Sequence, residues 1–236
     1  MTWLEQNPTD VLCIQETKLT DDKFPFAQIE AAGYHVVYSG QKTYNGVAIL
    51  SKLPITDVVK NNPQLDDPQQ RILAATIDGM RIVCAYVPNG QSVGSEKYLY
   101  KMGWLDAFHS WISEEAAKHP QLAVVGDYNI APEDRDVHDP AAWEGMVHVS
   151  EPERAALRRL LDIGLTDAFR LFEQPEKSYS WWDYRGLGFR LNKGLRIDHI
   201  LLSPALVQRC SACVIDRTPR KWEQPSDHTP VIATLD

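Results

Sequence analysis

The stretch 122–132, Leu-Ala-Val-Val-Gly-Asp-Tyr-Asn-Ile-Ala-Pro, constrains this chain most. Four apolar residues in a row read as a strand buried on both faces, and Pro132 forbids continuation as regular structure. Gly126 is expected to end the strand, with Asp127 and Asn129 following at its lip. A buried strand that delivers a carboxylate and an amide at its C-terminal end is a common way to build a polar site, because the strand fixes the backbone while the loop exposes the side chains. The same residues also suit a plain strand-to-turn junction, in which Asp and Asn satisfy local N–H groups.

The junction recurs. Residues 10–16 form a second apolar run that ends in Gln15 and Glu16, and a carboxylate at the exit of such a run is costly unless it is used or paired, here with Lys18. A hairpin is expected from 71–78 and 80–87 around Gly79, delivering Tyr86 and then Pro88-Asn89-Gly90. Helices are expected over 26–32, 98–117 and 151–163, with further strands over 34–39, 46–51, 196–202 and 230–235. Residues 61–70 and 133–150 read as polar loops, and residues 1–5 as the tail of a helix. Alternating strands and helices with several hairpins, no repeat and no linker over 236 residues indicate one α/β domain spanning 1–236, built from two packed sheets with outer helices.

The net charge of −8 opposes a non-specific nucleic-acid coat, yet nine Lys or Arg against five Asp or Glu between Glu176 and Gln224 leave room for a basic face. No stretch approaches the roughly 20 apolar residues that span a bilayer, and the first residues do not read as a signal peptide. Cys210 and Cys213 have metal-like spacing, but without a second pair or a His cluster no zinc site is expected. Cys13 and Cys84 read as buried thiols, and a reducing cytoplasm is the simplest compartment.

Glu16, Tyr86, Asp127 with Asn129, Asp198, and Asp227 with His228 therefore all sit at strand-associated junctions. Hard divalent cations prefer carboxylate oxygens and substrate phosphates. A His beside carboxylates is a candidate general base or phosphate partner, an Asp can fix its tautomer, and an amide can orient water. These are the parts of metal-assisted phosphate-ester hydrolysis.

Four blocks give a sharper reading. Residues 14–18 (Ile-Gln-Glu-Thr-Lys), 126–132, 194–198 (Gly-Leu-Arg-Ile-Asp) and 226–231 (Ser-Asp-His-Thr-Pro-Val) resemble, in order, the signature blocks of the exonuclease III family of apurinic/apyrimidinic endonucleases. The resemblance implies a four-layered α/β/β/α sandwich of the DNase I-like class, α+β in the wider sense. It implies a magnesium-dependent enzyme, with manganese as substitute, that acts as a monomer on double-stranded DNA. Its reactions would be cleavage 5′ to abasic sites, 3′-to-5′ exonuclease action and removal of 3′ blocks. Carried over, Glu16 resembles the metal-binding glutamate, with Asp127, Asn129, Asp227 and His228 as further metal-side groups. Asp127 resembles the residue that activates or aligns the attacking water, Asn129 its helper, Tyr86 the tyrosine near the scissile phosphate, and Asp198 with His228 the pair at the phosphate. Arg71, Asn89, Trp181 and Leu195 match DNA-side positions, Trp181 as the wall of a pocket for a baseless sugar. Adjacent strand residues point to opposite faces, so one of Trp181 and Trp182 is expected in the core and the other at the wall.

The family's opening strand, of the form Ile-x-x-Trp/Phe-Asn-x-Asn, has no counterpart in this sequence. Its absence raises two expectations: either the sequence starts at an internal methionine, or this form is impaired. Two other functions remain open: another metal phosphoesterase of the same superfamily, acting on lipid or inositol phosphates, and a catalytically impaired abasic-DNA-binding protein.

Overall fold

The computed structural model describes residues 2–236. In chain order the first half contains α1 (Thr2–Gln6), β1 (Val11–Gln15), α2 (Phe26–Ala31), β2 (His35–Ser39), β3 (Val47–Ser51), β4 (Thr56–Lys60), β5 (Ile72–Ile77), β6 (Met80–Tyr86), α3 (Glu96–Lys118) and β7 (Leu122–Asp127). The second half adds α4 (Pro140–Trp143), α5 (Glu151–Asp162), β8 (Thr166–Asp167), β9 (Trp181–Trp182), β10 (Gly194–Leu195), β11 (Asp198–Leu202), α6 (Pro204–Val207), β12 (Cys210–Ile215) and β13 (Val231–Leu235).

Six strands form the central sheet in the order β4-β5-β6-β7-β11-β8. Its outer face is covered by α3 and α5. Trp104, Leu105, Phe108, Trp111 and Ile112 of α3, with Ala156, Leu157 and Leu160 of α5, pack on Ile72, Ala74, Val83, Ala85 and Val124. Burying each large side chain contributes about 1.5–3 kcal/mol. Both helices start on capping residues: Ser95 accepts from the Tyr98 N–H, and Ser150 with Glu153 forms a capping box.

The inner face packs on two smaller sheets. Val47 and Ile49 of β3 meet Leu73, Ala75, Ile82 and Cys84, with Val11 and Cys13 of β1 alongside. Cys213, Val231 and Ala233 of β12 and β13 meet Ala123 and Leu202. Leu4 and Ile29 of α1 and α2 close the far side over Ala48 and Leu50. The result is the four-layered arrangement expected, helix–sheet–sheet–helix. Among the described residues β1 pairs only with β3, and β13 only with β12.

Several local expectations change. β1 is half-buried along its whole length rather than buried, and Cys13 with it. Thr56–Lys60 forms an edge strand that the sequence pattern did not suggest, because nearly all of it is exposed and no face is apolar. The 133–150 segment contains α4, with Asp139 capping Ala142. The residues expected as a helix tail form α1, although Met1 lies outside the described residues. Gly126 does not end β7, which runs on to Asp127. Its backbone has φ +143°, and a Cβ there would lie 1.9 Å from the Ala85 carbonyl oxygen of β6, so only glycine permits this approach.

Candidate active site

Three neighbouring strands bring the polar residues together. β6 and β7 run parallel with Tyr86 opposite Asp127, and β11 runs antiparallel to β7 with Asp198 opposite Asp127. Register partners point to the same face, so a phenol and two carboxylates stand side by side at one end of the sheet. Glu16 enters from the exit of β1. Its backbone is left-handed at φ +53°, and the following N–H groups of Thr17 and Lys18 bond to the carbonyls of Gly46 and Asn45. Asp227 and His228 enter from the loop before β13, held by Trp182 N–H to the Asp227 carbonyl (3.0 Å) and Thr229 N–H to the Ser180 carbonyl (2.8 Å).

His228 Nδ1 lies 3.0 Å from both Asp198 oxygens, and its Nε2 lies 3.8 Å from Asp127 Oδ2. Asn129 is also left-handed, at φ +50°. Its backbone N–H donates to Asp127 Oδ1 (2.9 Å) and its Nδ2 to Asp127 Oδ2 (3.1 Å) and the Val87 carbonyl (3.0 Å). Lys18 Nζ sits 2.7 Å from Glu16 Oε2, the pairing foreseen for that carboxylate.

Burial pushes the Asp127 carboxyl above its usual range, and Asp198 adds to this, while His228 works the other way. For His228 burial favours the neutral ring, but the Asp198 and Asp127 carboxylates more than offset it and raise the ring to about 10. Burial also raises the Tyr86 phenol far above its usual value, helped by Asp127 and Glu16, so it stays protonated.

The residues matched to the DNA side divide into two groups. Asn89 is exposed, and its Nδ2 reaches Asn129 Oδ1 at 3.4 Å. Trp181 is half-buried with its indole N–H on Asp227 Oδ2 (3.0 Å), whereas Trp182 is completely buried, so the pair splits between surface and core. Leu195 is completely buried with Val137, Val149 and Ile197, and backs Trp181 instead of offering its own surface. Arg71 is buried too: its guanidinium lies 4.8 Å from the centre of the Tyr86 ring and donates to the Gln69 side chain and the Tyr86 carbonyl (3.2 Å). In this arrangement it supports Tyr86 and exposes little charge.

Glu16, Asp127 and His228 each place one potential ligand atom within 4.8 Å of the others. The two carboxylates are the donors that a hard divalent cation prefers, so the chemistry of the set fits a divalent metal. His228 is the weaker donor, because a ring kept protonated has no lone pair to give.

Two site-supporting residues escaped the sequence reading. Lys101 and Glu153 are completely buried beneath Asn129 and ion-paired. The available signal was a lysine on the apolar stripe of α3, in phase with Tyr98, Trp104, Leu105 and Phe108.

Residues 1–228 match the Endonuclease/Exonuclease/phosphatase family. The chain is 36% identical over 243 residues to exodeoxyribonuclease III of Haemophilus influenzae, covering 98% of this chain and 91% of the relative. Among solved structures it resembles NExo of Neisseria meningitidis, a 3′-5′ exonuclease, at 45% identity and a TM-score of 0.98 over 100% of this chain and 92% of that one. It also resembles an AP endonuclease of Archaeoglobus fulgidus at 38% identity and a TM-score of 0.96, with the same coverage. The chain belongs to the exonuclease III/AP endonuclease family, within the DNase I-like endonuclease/exonuclease/phosphatase superfamily.

Proposed function

We propose that this chain is a divalent-metal-dependent DNA-repair phosphodiesterase that hydrolyses backbone phosphoesters of damaged duplex DNA, at 3′ termini and 5′ to abasic sites. The observation that carries the reading is the alignment of Tyr86, Asp127 and Asp198 on three adjacent strands, with His228 spanning the two carboxylates. Mg2+ is the proposed ion, with Mn2+ as substitute, held chiefly by Glu16 and Asp127. When bound, it supplies positive charge to the phosphate oxygens.

Asp127 takes the proton of the attacking water, a task suited to a buried carboxylate with raised proton affinity. Asn129 fixes the orientation of that carboxylate. Asp198 holds the Nδ1–H of His228, leaving Nε2–H free to donate to a phosphate oxygen as charge develops there. Tyr86 keeps its proton and donates a second hydrogen bond. The water oxygen bonds to phosphorus and the O3′–P bond breaks; O3′ takes a proton from solvent to become a 3′-hydroxyl, and the phosphate leaves as a 5′-phosphate or, from a 3′-phosphate end, as inorganic phosphate. Asn89 and the half-buried Trp181 are the proposed DNA contacts, Trp181 lining the space for an extruded sugar.

The 45% identity with NExo, described both as a 3′-5′ exonuclease and as a 3′ phosphatase in complex with a product DNA hairpin, supports the 3′-end activity. The Archaeoglobus fulgidus AP endonuclease supports the abasic-site activity. The test is turnover with Mg2+, Mn2+ or EDTA on three duplexes, carrying an internal abasic site, a recessed 3′ end or a 3′-phosphate. Metal-dependent cleavage of at least one is expected. Tight binding without turnover would replace the reading by a DNA-binding protein. Turnover only of inositol or lipid phosphates would replace it by a different phosphoesterase.

A further inference from the structure

A fully buried charge lies directly beneath the site. Lys101 is completely buried on α3, where an apolar side chain would fill the stripe without desolvating a charge. An ammonium has three N–H groups, and all three are used. One meets Glu153 Oε1, one the Asn129 carbonyl at 2.7 Å, and one the Asn89 carbonyl at 3.2 Å. An ion pair that served only to join α3 to α5 would need Glu153 alone. Two of the three N–H groups instead go to backbone carbonyls of the two loops that border the site.

Asn129 occupies the left-handed region, which asparagine tolerates better than other residues with a Cβ, and its carbonyl at this turn is held from two sides. Its carbonyl accepts a second hydrogen bond from His148 Nδ1, also at 2.7 Å. Burial and the neighbouring Lys101 charge push the His148 ring down to about 3, so it is neutral and Nδ1 carries the donated proton. Glu153 in turn accepts from the backbone N–H groups of His148 (3.0 Å) and Ser150 (3.3 Å) and from the Ser150 hydroxyl, so neither charge is left with an open valence.

We infer that Lys101 is a positioning residue for phosphodiester hydrolysis: its ammonium holds the left-handed turn at Asn129, and thereby the Asp127 carboxylate, in register with the Asn89 loop. The inference rests on the assignment of Asp127 and Asn129 to the chemistry. Lys101 itself touches no reacting atom.

The experiment compares wild type with Lys101→Met, the double variant Lys101→Met/Glu153→Gln, and Arg81→Met. The double variant removes the unpaired Glu153 charge if Lys101→Met alone fails to fold. Arg81 pairs with Glu115 (2.7 Å) at the far end of α3 and serves as a control for losing a buried ion pair. Readouts are kcat and KM on the best of the three duplexes, the active fraction by stoichiometric duplex titration, the half-saturating Mg2+ concentration, and hydrogen exchange of the 127–131 segment.

In the folded Lys101 variant, kcat per active site is expected to fall about 10- to 100-fold, the range for removing a partner that orients a functional group. KM should change less than kcat, and half-saturating Mg2+ should rise, because the displaced Asp127 is one of the two chief ligands proposed for the ion. The Asn129 amide, which donates to Asp127 Oδ1, should lose exchange protection. Arg81→Met should lower the melting temperature with kcat and 127–131 protection unchanged. Retained kcat together with retained protection at 127–131 overturns the inference, as does an equal loss in Arg81→Met. A wild type inactive on every duplex, or an Asp127→Asn variant that turns over normally, overturns the functional reading instead; the exchange data still decide whether Lys101 holds the turn.

Discussion

Asp127 and Asp198 are register partners on adjacent antiparallel strands, and the His228 ring lies across them, 3.0 Å from Asp198 and 3.8 Å from Asp127. Two carboxylates so close would repel each other; the imidazolium between them removes that cost and gives each a different task. In the proposed mechanism Asp198 orients and charges the ring, which leaves Asp127 to act on water.

Asp198→Asn should therefore lower kcat about 100-fold, in line with the loss of a group that orients a functional His. Asp198 is the largest influence holding the His228 proton affinity up, so its removal lowers that affinity. Activity that needs the protonated ring is then lost at a lower pH than in wild type. Rates between pH 6 and 10 measure this shift, and an unmoved alkaline limb would count against the role of His228.

Asp127→Asn should reduce kcat by roughly a thousandfold and leave duplex affinity equal or tighter, because a negative charge near phosphate is removed without loss of a binding contact. Single-turnover rates and binding without metal separate the two effects. Weak binding with normal saturated turnover would make Asp127 a substrate-positioning group.

Glu16→Gln should raise the half-saturating Mg2+ concentration by about tenfold or more, since a neutral oxygen replaces a charged one in a small ligand set. High Mg2+ or Mn2+ should restore part of the rate. A magnesium titration that matches wild type would remove Glu16 from the metal site.

Trp181→Ala should reduce preference for an abasic duplex over an intact one more than it reduces general duplex affinity. The latter should fall with salt in both proteins, because phosphate contacts release counterions. Competition binding at two salt concentrations tests this, and unchanged preference would move the sugar pocket elsewhere.

The buried neutral histidines should make a contribution to stability that is lost in mild acid. His148 has its ring pushed down to about 3 in the folded chain, against an ordinary 6.5, and burial lowers His199 as well. At His148 the unfolded chain then binds more protons between those values, so the contribution of that residue is full above about 6.5 and is lost as pH falls toward 3. From pH 7.5 to 5, His148 alone accounts for about 2 kcal/mol. Asp127 and His228, whose proton affinities are raised in the folded chain, act in the opposite sense, so urea unfolding of wild type and of His148→Gln at pH 7.5 and 5.0 isolates the His148 contribution; the same change of midpoint in both proteins would show that His148 is accessible in the folded state.

Much of this protein is local and therefore readable from the chain. The apolar run before Asp127, the caps of α3 and α5 and the hairpin around Gly79 are consequences of residue type at close range. So is the delivery of Glu16, Tyr86 and Asp127 at the exits of β1, β6 and β7, and of Asp198 and His228 at or just before the starts of β11 and β13. What the sequence could not supply is register across chain distance. Tyr86, Asp127 and Asp198 align only because β6, β7 and β11 pair as they do. The same pairing decides orientation: Trp181 stays half-exposed while Trp182 and Leu195 are buried, and Arg71 turns under Tyr86. Lys101 shows the limit most clearly. On one helix it is a single basic residue in an apolar stripe, and its meaning comes from three partners, Asn89, Asn129 and Glu153, on other segments. A buried charge is tolerated only where the fold places every one of its hydrogen-bond partners, and that placement is a property of the tertiary structure alone.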